Sequence, residues 1–114
     1  MEECIFCKIA GKDIPSDCVY EDDQVFAFRD INPQAPVHIL VIPKQHFGSL
    51  LEVTEKTSSL VANVVMTVNK LAKQLNLDES GFRLVVNTGK DGGQTVDHLH
   101  FHLLGGRELG WPPG

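Results

Sequence analysis

The sequence predicts an α+β domain in which a small antiparallel sheet carries one long helix. Three observations lead there. Short apolar segments recur with tight turn signals between them, which favours hairpins. One longer stretch, residues 55–75, has helical rather than alternating periodicity. The chain has 114 residues, 42% of them hydrophobic, which supplies one core and hardly two. A single domain over residues 1–114 is therefore expected, and a disordered chain is excluded.

Each element has its own reason. Residues 4–10 form either a short helix or a metal knuckle. Val19-Tyr20-Glu21 and Val25–Arg29 flank Asp22-Asp23, a tight hairpin turn. Asn32-Pro33-Gln34-Ala35-Pro36 is a loop, because two prolines prevent regular structure. Val37–Ile42 is a largely apolar strand stopped by Pro43. In residues 55–75, Leu60, Val61, Val64, Val65, Val68, Leu71, Ala72 and Leu75 fall at helical spacing. Lys70, Lys73 and Gln74 lie opposite them, and Thr54 is the start signal. Phe82–Asn87 reads as a strand, and Thr88–Thr95, with three glycines, as a tight loop. His98–Leu104 is the last strand, closed by Gly105-Gly106. The tail Trp111-Pro112-Pro113-Gly114 cannot be a central strand, so it is either disordered or an arm packed on a partner.

Charge narrows the function classes. The net charge of −5 arises within residues 1–30. No basic cluster exists to grip long nucleic acid by its phosphates. A small phosphate ligand remains compatible, since backbone amides and neutral side chains can hold one. The longest clean apolar run, Ile39–Ile42, is far too short to span a membrane. Met1-Glu2-Glu3 opens without an apolar h-region, so no signal peptide and a cytoplasmic setting are expected. Three cysteines without a secretion signal do not suggest a disulfide framework. Cys4 and Cys7 form a C-x-x-C that admits three readings: a redox pair, two free thiols, or half of a tetrahedral zinc site. Cys18 is expected to be a plain thiol.

The histidines carry the functional signal. His98, His100 and His102 alternate with Leu99, Phe101 and Leu103. On a strand the imidazoles share one face while the apolar residues pack under the helix. One imidazole could then act as nucleophile or base and its neighbours orient it. The adjacent loop, Asn87 to Thr95, lets backbone amides approach an anion, with Asn87, Gln94 and Thr95 adding neutral donors. Three zinc-ligating triad histidines are an alternative, but they leave this loop unexplained.

His98-Leu99-His100-Phe101-His102-Leu103-Leu104 resembles the histidine triad (HIT) signature at every position. The resemblance extends through Asp91-Gly92-Gly93-Gln94-Thr95, Gly105-Gly106-Arg107 and Phe28 to His38. The final Trp-Pro-Pro-Gly is similar to the Hint branch, the histidine triad nucleotide-binding proteins. The resemblance implies a homodimer, its sheet continued between subunits, that binds purine nucleotides such as AMP or GMP. It implies hydrolysis of nucleoside phosphoramidates through a nucleotidyl-histidine intermediate. His100 would be the nucleophile, His102 would contact the phosphate and leaving group, and His38 would assist proton transfer. Asn87, Gly93, Gln94 and Thr95 would bind the phosphate, and Asp30 the ribose hydroxyls. Ile5, Phe6, Ile9, Phe28, Ile31 and Leu40 would enclose the base, and Trp111 would reach the partner's site. Bacterial members with Cys-x-x-Cys imply a structural zinc on Cys4, Cys7, His46 and His98. No organic cofactor is implied. Related alternatives are a dinucleoside polyphosphate hydrolase, a nucleotidylyl transferase, or a nucleotide-binding scaffold with little turnover. Asp97, just before the triad, departs from the family pattern.

Overall fold

The computed structural model describes residues 4–114; the signal-peptide reading of Met1–Glu3 lies outside them. The fold is α+β, as expected. Strands β1 (Cys18–Glu21), β2 (Val25–Arg29), β3 (Val37–Pro43), β4 (Phe82–Val85) and β5 (Phe101–Gly105) make one antiparallel sheet. Their order across it is β1-β2-β3-β5-β4. Helix α1 (Ile5–Ala10) lies at the N-terminus, and α2 (Ser58–Gln74) enters between β3 and β4. Among the described residues no helix is long and apolar enough to cross a membrane.

Sheet alternation builds two cores. Val25, Ala27, Ile39, Val41, Phe101 and Leu103 point to the α2 side and meet Val64, Val68, Leu71 and Ala72. Phe26, Phe28, Leu40 and Ile42 point the other way and meet Phe6 and Ile9 of α1. β3 is thus buried on both faces, which explains its nearly continuous apolar sequence. The β1–β2 turn is set by Asp22, whose Oδ1 accepts the Gln24 and Val25 amides at 2.8 Å.

Three boundaries differ from the sequence reading by two residues or more. The last strand begins at Phe101, not His98. β3 has reached Pro43 there, which has no N–H for the ladder, and the Leu99 amide bonds Phe47 O at 2.7 Å instead. Alternation continues without the ladder: Leu99 still enters the α2 core. α2 starts at Ser58, because residues 54–57 form a turn in which the Thr57 hydroxyl accepts the Thr54 amide. β4 ends at Val85, before the glycine loop, rather than at Asn87. The stretch 4–10 is helix as well as cysteine-bearing, with Cys4 as its N-cap. A short 3₁₀ turn, Leu50–Glu52, had no sequence signal. Val65, counted with the apolar face of α2, is partly exposed beside Met66.

Leu103 is fully buried between the sheet and α2, whereas Leu51 is 85% exposed. Leu103→Ala should therefore lower unfolding stability by about 2–5 kcal/mol. Leu51→Ala should stay within about 0.5 kcal/mol of the parent in the same denaturant titration.

Candidate active site

The triad sits where the chain enters β5, with His98 and His100 just before the strand beside Phe6 of α1 and His102 within it. His98 and His100 are buried, and His102 is partly so. His100 Nδ1 lies 2.7 Å from the carbonyl oxygen of His98. A carbonyl only accepts, so Nδ1 carries the hydrogen and Nε2 carries the lone pair. That is the tautomer a nitrogen nucleophile or base requires. The Phe6 ring packs edge-on to His100 with centroids 5.1 Å apart, which ties α1 to the triad.

A second chain of bonds orients His102. The Gln34 backbone amide donates to His38 Nδ1 at 3.1 Å, so the hydrogen of neutral His38 is on Nε2. His38 Nε2 lies 2.9 Å from His102 Nδ1 and donates to it. His102 then presents Nε2–H, with its ring centroid 5.0 Å from that of His100. Asp30 Oδ2 stands 3.4 Å from His38 Nε2. Asp30, His38 and His102 are close enough to share a metal ion. The Gln34 amide argues against it: a metal on His38 Nε2 would drive the ring hydrogen onto Nδ1, against that N–H. Gln34 is itself held by Arg107, whose guanidinium donates to Gln34 O at 3.0 and 3.3 Å. Sequence reasoning assigned neither Gln34 nor Arg107 a role; Arg107 was visible only as part of the Gly-Gly-Arg match.

These imidazoles favour neutrality. Burial, then His100 and His38 nearby, lowers the pKa of His102 to about 4. Burial also lowers that of His38, against the pull of Asp30.

The glycine loop is shaped from within. Gly89 and Gly93 have φ of +70° and +76°. A Cβ on Gly92 would lie 2.4 Å from Thr88 O. Gln94 is the internal brace: Oε1 accepts the Gly89 amide, and Nε2 donates to Gly48 O and Val96 O. Its backbone amide donates to Gly89 O, and that of Gly93 to Lys90 O. Both residues, expected at a phosphate, thus also shape the loop that would hold it. Asn87 is partly buried and Thr95 exposed, and both flank the turn.

The residues expected around a base divide. Phe6, Ile9, Phe28 and Leu40 are buried in the α1 core, while Ile5 and Ile31 are 47% and 101% exposed. The first four would be floor and the last two rim. Trp111 is 82% exposed on a tail tethered by Arg83, which donates to Gly110 O. Asp97 is exposed.

Cys4, Cys7, His46 and His98 come together behind the triad. Cys4 Sγ and Cys7 Sγ lie 3.3 and 3.5 Å from His98 Nδ1. Cys7 Sγ is 3.3 Å from His46 Nδ1, and the two Nδ1 atoms are 3.2 Å apart. Tetrahedral zinc requires about 3.3 Å between two nitrogens and about 3.6 Å between nitrogen and sulfur. The donor set and its spacing therefore fit zinc. His98 Nε2 donates to Pro43 O at 2.9 Å, so neutral His98 turns its lone pair into the cluster. Burial, then Cys4 alongside, raises the Cys7 thiol to about 11, and a metal would displace that proton.

The low pKa of His102 has a consequence for stability. Between pH 6.5 and about 4 the unfolded chain binds a proton at His102 that the folded chain refuses. Stability should thus fall as pH drops through that window, with His38 acting in the same direction. Denaturant midpoints measured from pH 7 to 4.5 should show the decline. His102→Asn should make it shallower; an unchanged slope would contradict the assignment.

The HIT domain family model matches residues 11–109. A 14 kDa zinc-binding protein of Brassica juncea is 52% identical, the alignment covering 98% of this chain and all of that one. The crystal structure of a HIT family hydrolase from Legionella pneumophila superposes with a TM-score of 0.97 at 51% identity, covering 98% and 100% of the two chains. A histidine triad nucleotide-binding protein from Candida albicans superposes with a TM-score of 0.83 at 37% identity, covering 96% and 83%. This chain belongs to the HIT domain family.

Proposed function

We propose that this protein is a purine nucleoside phosphoramidate hydrolase of the Hint branch, working as one cytoplasmic domain in a homodimer. The observation that carries the reading is the His98 O to His100 Nδ1 bond at 2.7 Å, which fixes the ring hydrogen at Nδ1 and turns Nε2 of a buried imidazole to the site. The Brassica relative's zinc and the Candida neighbour's nucleotide support the metal and ligand classes.

His100 Nε2 attacks the α-phosphorus, a P–N bond to the ring forms, and the P–N bond to the amine breaks. The departing nitrogen takes a proton from solvent at the His102 Nε2–H end of the His102–His38 pair, which orients it and is neutral before and after. His100 is cationic while it carries the nucleotide, so the charge of the proton taken up stays on the enzyme. Water then cleaves the intermediate and gives a proton back to solvent, releasing a nucleoside monophosphate. Asp30 accepts the ribose hydroxyls, and Asn87 and Thr95 donate to the phosphate within the loop that Gly93 and Gln94 shape. Ile5 and Ile31 close over the base against Phe6, Ile9, Phe28 and Leu40, and Trp111 reaches the partner subunit. Cys4, Cys7, His46 and His98 would hold zinc, which would supply a structural cross-link rather than a reactant.

Adenosine 5′-phosphoramidate should release AMP with wild type, and His100→Ala should be slower by about three orders of magnitude or more. Equal rates in the two proteins would exclude His100 as nucleophile. AMP binding without turnover of phosphoramidate or dinucleoside polyphosphate would instead indicate a nucleotide-binding protein. Metal analysis should give one zinc per chain, reduced by Cys7→Ser and unaffected by Cys18→Ser. Retention of zinc by Cys7→Ser would rule out this ligand set.

A further inference from the structure

His98 belongs to two constellations at once. Its ring Nδ1 faces the two thiols and His46, its Nε2–H is held by Pro43 O, and its carbonyl oxygen accepts from the His100 ring. The other cluster histidine, His46, opens a strap without regular structure over residues 46–48. Phe47 O accepts the Leu99 amide at 2.7 Å, between the first two triad histidines. Gly48 O accepts Gln94 Nε2 at 2.7 Å, and Gln94 braces the glycine loop. The cluster therefore has two mechanical outlets. One runs through His98 to the nucleophile, the other through residues 46–48 to the loop.

Left as hydrogen bonds, the cluster is degenerate. With its hydrogen on Nε2, His98 offers one lone pair at Nδ1, and three candidate donors crowd it: Cys4, Cys7 and His46, at 3.3, 3.5 and 3.2 Å. Only one can donate at a time, so no unique arrangement of ring and strap is specified. Four ligand bonds would replace that competition with one geometry.

We propose that closure of the Cys4–Cys7–His46–His98 cluster around its metal aligns the nucleophile with the phosphate loop, with His98 as the positioning residue. This rests on reading the cluster as a zinc site and His100 as the nucleophile. It adds that occupancy of a site outside the reacting atoms sets the tautomer and order of the site itself. The Leu99 amide and the Gln94 brace respond with His100, because each is one hydrogen bond from the His46 strap.

The test uses the full chain, stripped of metal and titrated with Zn²⁺ alone, with no nucleotide present. Imidazole ¹⁵N signals report the His100 tautomer, and amide exchange reports Leu99 and Gly89, whose N–H groups bond Phe47 O and Gln94 Oε1. Zinc should convert His100 from mixed tautomers to the Nδ1–H form and slow exchange at both amides by on the order of ten-fold. Amides of the β1–β2 hairpin should change little. An unchanged His100 tautomer and unchanged exchange would overturn the proposal. So would equal slowing throughout the sheet, which would make the metal a staple for the whole fold. Cys7→Ala with zinc should reproduce the metal-free pattern, and a normal pattern there would also overturn it; if that variant does not fold, the wild-type titration decides. Because no substrate is used, the outcome is independent of whether phosphoramidates are turned over.

Discussion

Burial of Leu99, Phe101 and Leu103 under α2 is the constraint on which the site depends. These three side chains fix the register of residues 98–103, and with period-two alternation their placement dictates the rest. His98, His100 and His102 are turned to the opposite face because their neighbours are turned inward. A slip of one residue would send three imidazoles into an apolar core and three apolar side chains into the site. The histidine face is thus a by-product of core packing. The same logic runs through β3, where Ile39 and Val41 enter the α2 core and His38 faces the triad.

Burial also decides what the imidazoles are. A neutral imidazole is polar at two atoms, and each buried one must satisfy both or hold one in reserve. His98 satisfies Nε2 on Pro43 O and reserves Nδ1 for the cluster; His100 satisfies Nδ1 on His98 O and reserves Nε2. His38 uses both. The tautomers follow from backbone groups, which do not titrate, so the pattern holds wherever the Gln34 amide and the Pro43 and His98 carbonyls are held in place. Desolvation keeps protons from adding to it, as the lowered pKa values of His38 and His102 express. An acidic chain without a basic cluster can then offer a phosphate group neutral donors.

The sheet, the long helix and the triad face were legible because each rests on periodicity, and periodicity survives tertiary context. Residues 98–100 show its limit: alternation correctly placed the side chains, yet the ladder stops at Phe101, since pairing depends on what β3 can offer and Pro43 offers no N–H. Helix α2 began three residues late for a related reason, because Thr54 and Thr57 bond one another before the helix starts. Side-chain roles were less legible. Gln94 looks like a phosphate donor in sequence, and its bracing of the loop through Gly89, Gly48 and Val96 had no sequence signal. Gln34 acts through its backbone, so its residue type carries no signal at all. His46 could be placed with Cys4, Cys7 and His98 only through the family resemblance, because its partners lie 39 and 52 residues away in the chain.

The N-terminal helix brings these threads together. Six residues are too few for α1 to hold its own shape in water. Phe6 and Ile9 anchor it in the second core, and Cys4 caps it through the Cys7 amide. The two cysteines that cap and begin the helix are also two of the four cluster donors. Phe6 both fills the core and packs edge-on to His100. Closing the cluster on an ion would therefore also hold the helix that walls His100. The fold thus concentrates two donors of the Cys/His cluster, helix capping and the packing against His100 in the four residues Cys4 to Cys7. That economy explains why a marginal helix can sit beside the chemistry without leaving the site open to water.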